Sequence, residues 1–144
     1  MHIGGVMRTK LVTARPDEPA VDAIRRMLSS GIGSVIVIED NAPIGMFTER
    51  DVLRLAGEGT DFETIPVRRA MTGRPLTIAA DDDILAASQM MAERKLRHLP
   101  VTEDGNLVGI VSMRDVLAYL AERLYSGDKD DAAHDTTRAL LDRH

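Results

Sequence analysis

Two hydroxyl–carboxylate pairs have the makings of a site: Thr48 with Asp51, and Ser112 with Asp115, each a hydroxyl followed three residues later by an aspartate. They lie 64 residues apart in near copies of one stretch, Gly45-Met46-Phe47-Thr48-Glu49-Arg50-Asp51 and Gly109-Ile110-Val111-Ser112-Met113-Arg114-Asp115, and both copies run on into Val-Leu. At the start of a helix such a pair has two uses. As a capping box, the hydroxyl accepts from free first-turn N–H groups and the aspartate sits at the positive end of the helix dipole. As a ligand seat, the hydroxyl and the N–H groups hold a phosphate while the carboxylate accepts from adjacent sugar hydroxyls. Gly45 and Gly109, three positions before each hydroxyl, allow a ligand or another backbone to come close. Both uses employ the same atoms, and both stay open at this point.

The elements that must position these residues also repeat. Leu11-Val12-Thr13 reads as a short strand ended by Arg15-Pro16, since a residue before proline is pushed away from helix. Asp17 is the expected N-cap and Pro19 a first-turn proline of a helix whose apolar face is Ala20, Ala23, Ile24, Met27 and Leu28, closed by Gly31. Val35 to Ile38 is a β-branched strand covered on both faces, 39–43 a turn, Ile44 to Phe47 a further strand, and Thr48 the start of a helix reaching Gly57. The second half reads alike: strand Leu76-Thr77-Ile78, cap cluster Asp81-Asp82-Asp83, helix residues Ile84, Ala87, Met91 and Ala92, strand Leu99-Pro100-Val101, hairpin turn Asp104-Gly105, strand Leu107 to Val111, and a helix from Ser112 to about Tyr125. Val6-Met7 and Ala70-Met71 stand at the same offset, which predicts a lead-in segment with a packing role for each half.

A chain of 144 residues accommodates two small halves around a shared core. With 44% hydrophobic and 28% charged residues it has ordinary globular composition. A formal charge of −5 argues against a nucleic-acid partner, which calls for a basic face. Having no cysteine, the chain lacks disulfides, thiolate nucleophiles and cysteine-ligated zinc. No apolar run is long enough to cross a bilayer, so the expectation is a soluble, cytoplasmic protein without a membrane partner.

Strand, helix, strand, strand, helix, twice over, with Gly-apolar-x-Thr/Ser-x-x-Asp opening each last helix, resembles the tandem cystathionine β-synthase (CBS) domain pair, or Bateman module. The resemblance covers about residues 6 to 125. It implies an α/β (α+β) fold of two β-α-β-β-α repeats about a pseudo-twofold axis with their sheets packed together. The corresponding division is repeat 1 over 6–60, a linker over 61–66, repeat 2 over 67–125, and a mobile tail over 126–144.

It further implies a regulatory sensor, not an enzyme, with AMP, ADP, ATP or S-adenosylmethionine in a cleft between repeats as its ligand, and no catalytic cofactor. Carried over by position, one cleft holds Thr13, Ser34, Val35, Arg97, His98, Ser112, Arg114 and Asp115. The other holds Thr48, Arg50, Asp51, Thr77, Leu99 and Pro100. The aspartates would take ribose and the hydroxyls sit beside sugar or phosphate. Arg97-His98, where the first half has Gly33-Ser34, makes the Asp115 cleft the better equipped for a charged nucleotide. Val35, Ile36, Leu99 and Pro100 are candidate walls for adenine, and equally plain core. Arg50 and Arg114 are also readable as surface ion-pair residues.

Other readings have less behind them. His2, His98, His134 and His144 have no metal-ligand spacing. Ser112 with His98 lacks the Gly-x-Ser-x-Gly setting of a hydrolase nucleophile. The eight methionines suit core and subunit contacts. The alternative of a different class is a ligand-free dimerisation or docking module, a homodimer acting on a separate, unidentified protein through its exposed helices.

Overall fold

The computed structural model describes residues 1–126, so the expected tail lies outside the described residues from 127 onward. The first half comprises β1 (Thr13–Ala14), α1 (Ala20–Ser30), β2 (Ser34–Glu39), β3 (Ala42–Thr48) and α2 (Glu49–Gly57). A short helix α3 (Val67–Ala70) and strand β4 (Thr72–Gly73) lead into β5 (Ile78–Ala79), α4 (Ile84–Arg94), β6 (His98–Glu103), β7 (Asn106–Ser112) and α5 (Met113–Tyr125). The sheets run β1-β2-β3-β4 and β5-β6-β7, the opening strand of each half pairing parallel and the hairpin antiparallel.

Each hairpin turns on two residues in the left-handed region, Asp40 and Asn41 (φ 52° and 65°) and Asp104 and Gly105 (φ 52° and 81°), whose twist suits a two-residue connection. The first turn is therefore tighter than the expected 39–43. Pro43 enters β3 opposite Ile38 at a register shift, the kind of place at which a sheet tolerates proline.

Side-chain alternation divides the strands between two interfaces. Val35 and Val37 face α1 and α2 in one core, and Leu99 and Val101 face α4 and α5 in its twin. Ile36 and Pro100 point the other way and are buried all the same. They lie on the sheet-to-sheet side, where β3 and β7 approach and Leu107 N donates to Asn41 O at 2.8 Å.

The lead-in segments are exchanged between halves. Ile3, fully buried in a 3-10 turn over Ile3–Gly5, joins the core of the second half, with Val6 and Met7 packed beside it. Val67 and Ala70, at the equivalent positions, fill the core of the first. Backbone bonds follow the same crossing. Ala20 N donates to Ile65 O at 2.8 Å and Val21 N to Phe62 O at 3.0 Å, so the linker satisfies the start of α1. Ile84 N donates to Met1 O at 3.0 Å, which does the same for α4.

This crossing explains two departures from expectation. Pro19, not Asp17, is the N-cap of α1, and it has no side-chain cap because the linker carbonyls take that role. In the second half Asp83 does cap, accepting from Leu85 N at 2.9 Å. The opening strands begin at Thr13 and Ile78, later than expected, because residues 9–12 and 74–77 are spent passing from one half to the other.

Gly45 and Gly109 serve this exchange. A Cβ on Gly109 would lie 3.0 Å from the Arg8 carbonyl and hard against Met7 Sδ, and one on Gly45 would lie 2.9 Å from the Thr72 carbonyl. The close approach is thus to another backbone. Gly109→Ala is expected to destabilise the chain by about 1–3 kcal/mol through overpacking, read as a lower urea midpoint. Since the backbone carbonyl is part of the clash, Met7→Ala should restore only part of the loss.

Candidate functional site

Both capping boxes form in full. Thr48 Oγ1 accepts from Asp51 N at 3.3 Å, while Asp51 Oδ2 accepts from Thr48 N at 3.0 Å and from its hydroxyl at 3.1 Å. Ser112 Oγ accepts from Asp115 N at 3.1 Å, and Asp115 Oδ2 from Ser112 N at 3.0 Å. Capping therefore engages one oxygen of each carboxylate.

The second oxygens differ. Asp51 Oδ1 accepts from Thr72 Oγ1 at 3.1 Å and from Arg54 Nη2 at 3.4 Å, and the residue is only 5% exposed. Asp115 Oδ1 accepts from Arg8 Nε at 3.1 Å, and that arginine's side chain is 65% exposed. Arg8 and Thr72 occupy the same place in the two exchanged lead-ins, just beyond Met7 and Met71. Neither was singled out by motif, nor was Arg54; the repeat offset, carried one residue past the methionines, would have found Arg8 and Thr72.

The start of β6 adjoins Asp115 at the surface. His98 stands opposite Ser112 across the β6–β7 ladder, and Met113 N donates to Arg97 O at 3.0 Å. Asp115's carboxyl is held below its ordinary value. Burial pushes it up, but the Ser112 hydrogen bonds and then Arg8 outweigh that. His98 is pushed down, first by burial and then by Arg97 and Arg8, against the pull of Asp115. A carboxylate, an imidazole inclined to be neutral and two guanidinium-bearing residues thus share one end of the second half.

Of the residues assigned by resemblance to this cleft, Arg97, His98, Ser112 and Asp115 come together, and Arg114 is exposed in the same helical turn. Ser34 stands instead opposite Thr48 on the first half's ladder, beside Val35. Thr13 pairs with Ile36, and its carbonyl accepts from Arg26. Among the described hydrogen bonds none joins Thr13 to Ser112 or Asp115. In the other set Thr48 and Asp51 meet and Arg50 is exposed. Thr77 lines a cavity of about 480 Å³ with Pro43, Ile44 and Arg74. The side chains of Val35 and Leu99 are committed to the helix-facing cores, and those of Ile36 and Pro100 to the sheet-to-sheet side. Among the described residues no group of three histidine, aspartate or glutamate side chains is placed to hold a metal, and no helix is long and apolar enough to cross a membrane.

The CBS domain family matches residues 3–58 and again 67–122. An uncharacterised protein of Methanopyrus kandleri is 36% identical over 81% of this chain, which spans 61% of that protein's length. The CBS domain-containing protein YhcV of Bacillus subtilis is 33% identical over 76% of this chain and 79% of its own. Among solved structures, CBSX2 of Arabidopsis thaliana in complex with AMP superposes with a TM-score of 0.76 at 26% identity, over 84% of this chain and 96% of the other. A CBS-domain protein of Agrobacterium tumefaciens gives 0.73 at 29%, over 83% and 98%. None of these relatives carries an enzymatic name.

Because Asp115's folded value is depressed, its contribution to stability is complete above the ordinary aspartate value, about 4, and is lost as pH falls through the lower folded value. The gap in urea midpoint between the unmodified chain and Asp115→Asn is therefore expected to be wide at pH 7 and to close in acid. A gap of constant width from pH 7 to pH 2 would contradict the assignment.

Proposed function

We propose, starting from the fact that this chain belongs to the CBS domain family, that it is a regulatory module which binds an adenosyl ligand at Asp115 and signals its occupancy to a partner protein. AMP, ADP, ATP and S-adenosylmethionine are the ligands to consider. One observation carries the reading: of the two motif carboxylates, only Asp115 has an oxygen whose described partner is a single, largely exposed arginine. The likeness to a CBSX2 structure in complex with AMP supports it.

In this reading adjacent ribose hydroxyls donate to Asp115 Oδ1 in place of Arg8, and Arg8 turns with Arg97 toward the phosphates. His98, opposite Ser112, takes up a proton as the anion arrives. Arg8 belongs to the segment that packs on the second half and then enters the first, so its change of partner alters the tie between halves. Signalling requires the ligand to favour one arrangement of that tie over another. Asp51, with both oxygens engaged inside the fold, makes the other motif the weaker site. We further propose that the module has no catalysis of its own; among the described residues no nucleophile is hydrogen-bonded to an oriented base. The same proposal places the module in the cytoplasm as a homodimer.

A second reading, the ligand-free docking module, is favoured by Leu53 and Leu117. They stand at equivalent places on α2 and α5 and are 77% and 59% exposed, apolar surface available to another copy or a partner.

Isothermal titration separates the two. AMP, ADP, ATP or S-adenosylmethionine should bind with a defined stoichiometry, and Asp115→Asn should weaken binding by about 10–100-fold, as expected for lost charge-assisted hydrogen bonds. Arg8→Ala should weaken ATP but strengthen adenosine, which gains from losing a competitor and has no phosphate to miss. Absence of binding by all four to folded protein would favour the docking module.

The imidazole gives a further check. A phosphate raises a histidine held low, so binding takes up a proton and tightens as pH falls from 8 to 6. Compared at each pH for the same ligand, which cancels the ligand's own titration, His98→Asn should bind with a shallower pH dependence than the unmodified chain. Equal slopes would remove His98 from the site.

A further inference from the structure

At the hairpin end of the second half, across the length of β7 from Asp115, lies a cavity of about 720 Å³ whose lining includes Gly4, Asp81, Glu103, Asp104 and Gly105. Three acidic residues and His2 are among those that line it, and among the described residues neither Asp81 nor Glu103 is in a salt bridge. Acidic lining alone says little. The first half shows what this arrangement holds.

The 64-residue offset places Gly4 on Arg68, Asp81 on Asp17 and Glu103 on Glu39. The backbones at the two places agree bond for bond. Gly4 N donates to Ala80 O at 2.9 Å and Arg68 N to Pro16 O at 2.8 Å, while Ile3 N reaches Asp82 O and Val67 N reaches Glu18 O, both at 2.9 Å. In the first half the Arg68 guanidinium donates to Glu39 Oε2 at 2.7 Å and lies 3.8 Å from Asp17 Oδ1. The second half keeps both carboxylates, has Asp104 where the first half has Asp40, and differs in having glycine in place of the arginine.

We propose that this cavity binds a guanidinium group from outside the fold, carried by a small molecule or by an arginine side chain of a partner, seated between Glu103 and Asp81 as Arg68 is seated between Glu39 and Asp17. The planar fork of a guanidinium matches carboxylate geometry where a lysine ammonium does not, so the site prefers arginine to lysine. The pair it imitates is at the surface, so affinity is modest and falls with salt.

Glycine at position 4 supplies the test. A Cβ there would meet the Ala80 carbonyl at 3.4 Å, an ordinary contact, and Gly4 is not in the left-handed region, so Gly4→Arg can fill the cavity from within. Amide spectra of the full chain would be followed during titration with agmatine, with a blocked Ala-Arg-Ala peptide and with its lysine counterpart. Expected are saturable shifts at Gly4, Gly5 and Gly105 with half-saturation at millimolar concentration, weakened several-fold by about 0.5 M salt, smaller for the lysine peptide, and abolished by Gly4→Arg with a rise in Tm. The double variant Asp81→Asn, Glu103→Gln should abolish them independently of how Gly4→Arg folds. Tighter binding of agmatine identifies a small-molecule ligand, and tighter binding of the peptide an arginine of a partner. No saturable shift at these amides, equal response to the lysine peptide, or persistence of the shifts in the double variant would overturn the proposal.

Discussion

The exchange of lead-in segments is the constraint on which the rest of this structure depends. Each half has only about sixty residues, a size at which a single core is marginal. Each borrows an aliphatic side chain from the other's lead-in, Ile3 for the second half and Val67 for the first, and each such burial contributes on the order of 1.5–3 kcal/mol. The borrowed segments also close helix ends, with Ile65 and Met1 carbonyls taking the first N–H groups of α1 and α4. Neither half is complete without the other, and the two glycines of the repeated motif are small because the exchanged backbone passes over them.

The same crossing delivers different side chains to chemically equal places. Where it brings Thr72, the Asp51 carboxylate is closed into a network with Thr48 and Arg54; where it brings Arg8, the second oxygen of Asp115 meets one exposed arginine. Where it brings Arg68, two carboxylates are neutralised, and where it brings Gly4, they line a cavity. The repeat gives two copies of a frame, and the lead-in residues decide which groups the equivalent carboxylates meet.

Much of the frame was legible in the sequence because it rests on local rules. The period of 64, the Thr48 and Ser112 caps, the left-handed Gly31 closing α1 and the Asp104-Gly105 turn all depend on neighbours in the chain. The exchange was not legible. Ile3 and Val67 are equivalent by offset whichever half they enter, and periodicity does not say which core receives them. The Pro19 cap and the late starts of β1 and β5 followed from it and shared its obscurity. At the site, the sequence identified Ser112, Asp115, Arg97 and His98, which adjoin through one ladder, and missed Arg8, which reaches Asp115 across 107 residues. Val35 and Leu99 were ambiguous between wall and core for want of a facing direction that only the register of β2 and β6 supplies.

Native-state hydrogen exchange on Ile3→Ala tests the interlocked arrangement most directly. Ile3 stands before the first strand of the first half, yet its side chain lies in the second half's core. The account predicts that amide protection falls first in α4, β6 and β7, while β2 and β3 keep theirs until global opening. Loss of protection confined to β1, β2 and β3 would contradict it, for it would place the segment on the half that follows it in sequence.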